Sequence, residues 1–173
     1  MNIAQRHIRR STDTSHIKIR AATPDDAPEI ARLFGEYFHA TQWQYFLTYD
    51  EAKTVKRVRE LIEGKRTPHL LALDGDKLIG ILSWHYDSQY VVEPIAVMDE
   101  TYVDPEYRQT DLGRKMVAIA LYFAKLDNAT VFNFPIASGL PSTRTLVNML
   151  RKFGGEICGV IVRCKPQGEY DGR

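Results

Sequence analysis

From His16 to Ala21 (HIKIRA) apolar and polar side chains alternate, the period of a half-buried strand. Thr23-Pro24-Asp25-Asp26 then opens a helix, with Thr at the N-cap, Pro at the first helical position and acids in the first turn. Ile30, Leu33, Phe34, Tyr37 and Phe38 recur at helical spacing behind it. Asp50 is a second N-cap, ahead of the stripe Val55, Val58, Leu61 and Ile62, and Gly64 stops that helix. From His69 the period changes. HLLALD and KLIGILSWHY flank an Asp-Gly signal and predict a hairpin. Val91 to Val103 predicts a further strand or strand pair, interrupted near Glu93-Pro94. Met116 to Ala124 predicts a helix, Val131 to Ile136 a short strand, Ser142 to Phe153 a helix and Glu156 to Cys164 a last strand. The order β-α-α-β-β-β-α-β-α-β implies an α/β (α+β) domain, a mixed sheet with helices on both faces.

Composition narrows this picture. At 173 residues the chain suits one domain, here residues 16–165, between an N-terminal arm (1–15) and a short C-terminal tail (166–173). The arm carries Arg6, Arg9 and Arg10 without apolar periodicity and reads as mobile or loosely docked. Twenty-three Lys and Arg against 22 Asp and Glu give a net charge of +1, which weighs against a charge-driven nucleic-acid binder. No apolar run approaches the ~20 residues of a membrane span, and the N-terminus lacks the apolar centre of a signal peptide. Cys158 and Cys164 share one face of the last predicted strand about 20 Å apart, too far for a disulfide. They read as buried thiols in a reducing, cytoplasmic setting. No Cys/His pair has metal-ligand spacing.

Two stretches carry candidate chemistry. Trp43, Tyr45, Phe46 and Tyr49 lie between the first two helices, where their rings either pack the helices together or line a substrate mouth. The second stretch, TYVDPEYRQTDLGRKMVAIALYFAK (102–125), runs from a strand through a turn opened by Pro105 into a helix. Unsatisfied backbone N–H groups at that helix start suit a phosphate, with Arg108, Arg114 and Lys115 as charged partners and Gly113 allowing close approach.

The same stretch resembles the GNAT family of N-acetyltransferases. Val103-x-Pro105-x-Tyr107-Arg108 fits that family's strand end, and Arg108 and Gly113 fill the first and last places of its Arg/Gln-x-x-Gly-x-Gly/Ala signature. IKIRAATPDDAPEIARLF resembles its first strand and helix, MLRKFGG its Leu-Tyr-x-Lys-x-Gly-Phe, and together the matches span about residues 17–164. The resemblance implies a mostly antiparallel sheet, splayed at the cofactor strand and flanked by about four helices. It implies acetyl-CoA as co-substrate, with pantetheine along Tyr102 and Val103 and the acetyl carbonyl polarised by an N–H near Tyr102. The pyrophosphate would rest on the amides of Arg108, Gln109, Thr110, Asp111, Leu112, Gly113 and Arg114. The reaction it implies is direct acetyl transfer to a primary amine, on a small molecule or a protein, by a protein that could form a homodimer.

Asp111 replaces the signature's first glycine, adding a Cβ and a charge that repels phosphate unless it serves as an N-cap. Leu150 stands where many members have the tyrosine that protonates the leaving thiolate, and Tyr122 reads as a core residue rather than its substitute. These departures keep open a second reading, a catalytically degenerate CoA-binding or regulatory protein. For the base, Glu100 and Asp99 precede the end of the cofactor strand. Alternation puts them on opposite faces, with Glu100 on that of Tyr102. His85 and Trp84 are secondary candidates on the acceptor side. Asn133 is placed to hydrogen-bond pantetheine, while Ser142, Thr143 and Arg144 open the next helix near the cofactor.

Overall fold

The computed structural model describes residues 13–65, 67–89, 91–136 and 143–159. Among them, strand β1 (Lys18–Ala21) leads to α1 (Ala27–Ala40), α2 (Glu51–Glu63), the strands β2 (His69–Asp74), β3 (Lys77–Asp87) and β4 (Ile95–Val103), then α3 (Leu112–Leu126), β5 (Val131–Asn133) and α4 (Thr143–Arg151). The strands form one sheet in sequence order, antiparallel except for the parallel pair β4·β5.

Local chemistry explains the boundaries. Ahead of α1, a 3-10 turn at Pro24–Asp26 is closed by Asp26, whose carboxylate accepts the Thr23 N–H at 2.7 Å and a bidentate pair of Arg20 bonds, both 2.7 Å. The Asp50 carboxylate accepts the Lys53 N–H at 2.9 Å and starts α2. The β2–β3 hairpin turns through Gly75 and Asp76, and Gly75 takes φ 60°, a conformation glycine adopts without a Cβ penalty.

Each face of the sheet has its own apolar cluster. Leu71, Ile81 and Tyr102 lie under Ile30 and Leu33 of α1 and Val58 of α2. On the other face Ala72, Leu82, Trp84 and Ala96 meet Leu112, Met116 and Ala120 of α3. Gly80 lets α3 come close, since a Cβ there would stand 3.3 Å from both Met116 Sδ and Tyr102 O.

Several boundaries differ from those the residue pattern predicts. β1 starts at Lys18 rather than His16, β4 is a single strand that begins after Pro94, and β5 ends at Asn133 rather than Ile136. Residues 156–159 are not strand; Cys164, Ser142, residues 1–12 and the tail lie outside the described residues. Cys158 is exposed, not buried, because no strand carries it into a core. Tyr122 is 60% exposed, so α3 turns it to solvent and not to the core. No helix among the described residues is long and apolar enough to cross a membrane.

Candidate active site

β5 accompanies β4 only from Ile95 to Val97. Past that point, β4 has no strand beside it on that edge among the described residues, and a pocket of about 580 Å³ opens there. Because the edge is open, the pocket reaches both faces of the sheet. Tyr37 of α1 lines it from one side, Val117 of α3 and Met149 of α4 from the other, and residues 98–103 of β4 run through it.

The turn after β4 forms one end. Pro105–Tyr107 make a 3-10 turn whose Asp104 carboxylate accepts the Glu106 N–H at 2.9 Å. The buried Tyr107 ring is anchored by its hydroxyl, which donates to Asp74 Oδ2 at 2.5 Å. Arg108 folds back on the strand end, its Nε–H donating to Val103 O at 2.8 Å and its guanidinium 5.3 Å from the Tyr102 ring centroid. The Leu112 N–H is taken by Thr110 Oγ1 at 3.2 Å, so the first-turn cap is Thr110 and not the side chain of Asp111. The Lys115 N–H bonds Asp111 O at 3.0 Å. The N–H groups of Gly113 and Arg114 precede that bond, at the position where a helix start takes an anion. A Cβ on Gly113 would meet nothing within 4 Å, so its side toward the pocket is open backbone. These features fit a phosphate group.

The wall of β4 departs from simple alternation. Ser83 pairs with Glu100 and Trp84 with Met98, leaving Asp99 as the extra residue of a β-bulge. The bulge resets the alternation, so Asp99 and Glu100 are not separated onto opposite faces. Both line the pocket, and Asp99 Oδ1 sits 2.7 Å from His85 Nδ1. Burial pushes the Glu100 carboxyl up to about 7, and the nearby Asp99 charge adds to the shift.

Glu100 belongs to a polar row, His69–Ser83–Glu100, formed by directly paired residues of β2, β3 and β4. It lies beside the apolar row Leu71–Ile81–Tyr102 under α1. Ser83 and His69 are buried; His69 Nδ1–H donates to Thr67 O at 2.7 Å, and burial pushes its pKa down. His69, Ser83 and the pocket-lining role of Tyr37, whose ring stands 5.6 Å from that of Tyr102, have no signal in the linear pattern. Each follows from strand register or helix placement.

Of the residues expected at a cofactor, Tyr102, Val103, Arg108, Gln109, Thr110, Asp111, Gly113 and Arg114 line the pocket. Leu112 is fully buried in the core beneath α3. Asn133 and Arg144 are exposed and outside the pocket lining. His85 reaches the site only through Asp99. In the aromatic stretch, Tyr49 packs on Phe38 and donates to Ala31 O at 2.5 Å, whereas Tyr45 and Phe46 are exposed.

The model of the acetyltransferase (GNAT) family matches residues 30–154. The chain belongs to this family. Solved structures with the same fold include a probable acetyltransferase, 16% identical with a TM-score of 0.69, over 88% of this chain and 99% of that one. A transcriptional regulator from Bacillus halodurans is 15% identical with a TM-score of 0.70, over 87% of this chain and 99% of that one. An aminoglycoside acetyltransferase from an uncultured soil metagenomic sample, in complex with sisomicin, is 18% identical with a TM-score of 0.66, over 87% and 95% of the two chains. At these identities the likeness is one of fold. No curated protein matches the chain. Within the GNAT fold the open edge of β4 and the turn before α3 form one continuous pocket.

Proposed function

We propose that this GNAT protein transfers the acetyl group of acetyl-CoA to a primary amine, by direct attack and without a covalent enzyme intermediate. The observation that carries the reading is the presence, in one pocket, of an anion-suited helix start and a buried carboxyl with a pKa of about 7. Glu100 lies three residues before Val103, about 10 Å along the strand, so the carboxyl and the turn that follows β4 stand apart along one pocket.

Acetyl-CoA supplies the acetyl group as a thioester and leaves as a thiol. The chain's part is to bind, orient and move a proton. The N–H groups of Gly113 and Arg114, with the Arg108 and Arg114 guanidinium groups, hold the phosphates. On the edge of β4 away from β3, which has no strand partner past Val97 among the described residues, the Thr101 backbone and the Val103 N–H offer groups to an extended ligand and an N–H to the developing oxyanion, while Arg108 holds the Val103 carbonyl. Glu100 accepts the amine proton, directly or through one water, and its pKa near neutrality suits that exchange. Asp99 and His85 add a polar, hydrogen-bonded flank that favours a cationic acceptor. The bulky Leu150 packs partly into the core and offers no proton. The departing thiolate, with a pKa near 8.5, leaves without one. The acceptor is a small-molecule amine or an amine on a protein.

The test is thiol release from acetyl-CoA against a panel of amines. Release should require both substrates, and Glu100→Gln should lower kcat by about 100-fold or more with little change in KM for acetyl-CoA. CoA binding without release for any amine would favour a degenerate, regulatory member of the fold, the reading that Asp111 and Leu150 support.

A further inference from the structure

A carboxylate in the phosphate turn is unfavourable, because its charge repels an anion a few ångströms away. The conformation of Asp111 is unexceptional, at φ −84°, so the backbone there has no need of glycine and the charge is the difficulty. That charge is held in one direction. Asp111 Oδ1 accepts a hydrogen bond from Thr14 Oγ1. Lys115 Nζ, one helical turn on, donates to the same Thr14 oxygen at 2.5 Å and stands 3.4 Å from Asp111 Oδ2. Arg114 lies 3.7 Å from Oδ2.

Thr14 comes from the far end of the chain, 97 residues away, and is only 5% exposed. Its place is fixed from both sides. The Ile17 N–H bonds Thr14 O at 3.2 Å, and Ile17 and Ile19 pack on the core beneath α3. His16 Nε2 stands 3.6 Å from Asp74 Oδ1, on the carboxylate that anchors Tyr107. Residues 13–17 thus strap the outside of the phosphate turn. The bond from Thr14, then Lys115 and Arg114, draws the Asp111 carboxyl below the usual range, so it stays ionised on the strap.

We propose that Thr14, with Lys115, is a positioning residue for the phosphate turn, holding the Asp111 carboxylate on the N-terminal segment and away from the anion; this rests on the acetyl-CoA reading above. The strap does for Asp111 what glycine achieves by having no side chain.

Calorimetric titration of CoA into the full chain tests this with four proteins: the natural sequence, Thr14→Val, Asp111→Gly and the double variant. Thr14→Val keeps the shape and removes the hydroxyl. It should weaken CoA binding by about 3- to 30-fold. Asp111→Gly should bind at least as tightly as the natural sequence. In the glycine background Thr14→Val should change affinity by less than about twofold, which assigns its effect to the Asp111 contact. Thr14→Ser, which retains the donor, should match the natural sequence. Melting curves accompany each variant, and Thr14→Ala takes the place of valine if that protein does not fold. Unchanged affinity in Thr14→Val, or an equal loss with and without Asp111, overturns the proposal and leaves the acetyl-CoA reading standing. Absence of CoA binding in every protein overturns both.

Discussion

Glu100 shows what a single residue contributes and costs. Its carboxyl is buried beside Asp99 and holds its proton up to about 7, against an ordinary value of 4.5. Between those two values the unfolded chain has released the proton and the folded chain has not, so stability falls as pH rises and the penalty is constant above about 7. It amounts to about 3 kcal/mol. A carboxyl that costs stability at an open edge is what the proposed proton transfer by Glu100 requires. Glu100→Gln should therefore raise the melting temperature at pH 8 by roughly 5–10 °C and leave it nearly unchanged at pH 4. Equal shifts at both pH values would mean that packing, and not charge, is what the substitution alters. Asp99 and Glu100 also mark where a linear reading stops. Side-chain alternation assumes an unbroken ladder, and the register of β3 against β4 skips a residue at Asp99. Nothing in MDET announces the skip, because a bulge is set by two strands and not by one.

Elements with local causes are legible in the residues themselves. Thr23-Pro24-Asp25-Asp26, Asp50 and Gly75 act within a few residues of their own position, and each stands where its chemistry predicts. The amphipathic stripes of α1 and α2 meet one face of the sheet and that of α3 the other. Strand limits are less legible: β4 ends at Val103 as its pattern predicts, but it begins at Ile95 and β5 stops at Asn133, where pairing sets the limit and pairing is a tertiary matter. Asn133 illustrates this: its strand is right, but the pocket opens just where β5 stops. Gly80 carries a prediction at this scale. Its missing Cβ lets Met116 and the Tyr102 carbonyl approach together, so Gly80→Val should destabilise by about 1–3 kcal/mol and loosen β4. Chemical denaturation measures the first effect, and a CoA affinity reduced beyond the change in folded fraction shows the second.

For the whole molecule, the decisive arrangement is a sheet that parts at one edge, with a helix start at one end of the opening and a buried carboxyl at the other. The order of elements predicts a mixed sheet, but the parting of β4 from β5 enters the sequence reading only through family resemblance. Hydropathy does not distinguish a paired edge from an open one. The N-terminal segment is similarly hidden, for Thr14 and Asp111 are adjacent only after folding. Both features converge on the turn before α3, where an anion should meet backbone amides. The most direct test is a titration of acetyl-CoA followed through backbone amide resonances. The largest shifts should fall on Tyr102, Val103, Gly113 and Arg114, with Glu100 following and α2 silent. Saturable shifts confined to another surface, or no shifts at millimolar acetyl-CoA, would contradict the acetyl-CoA reading.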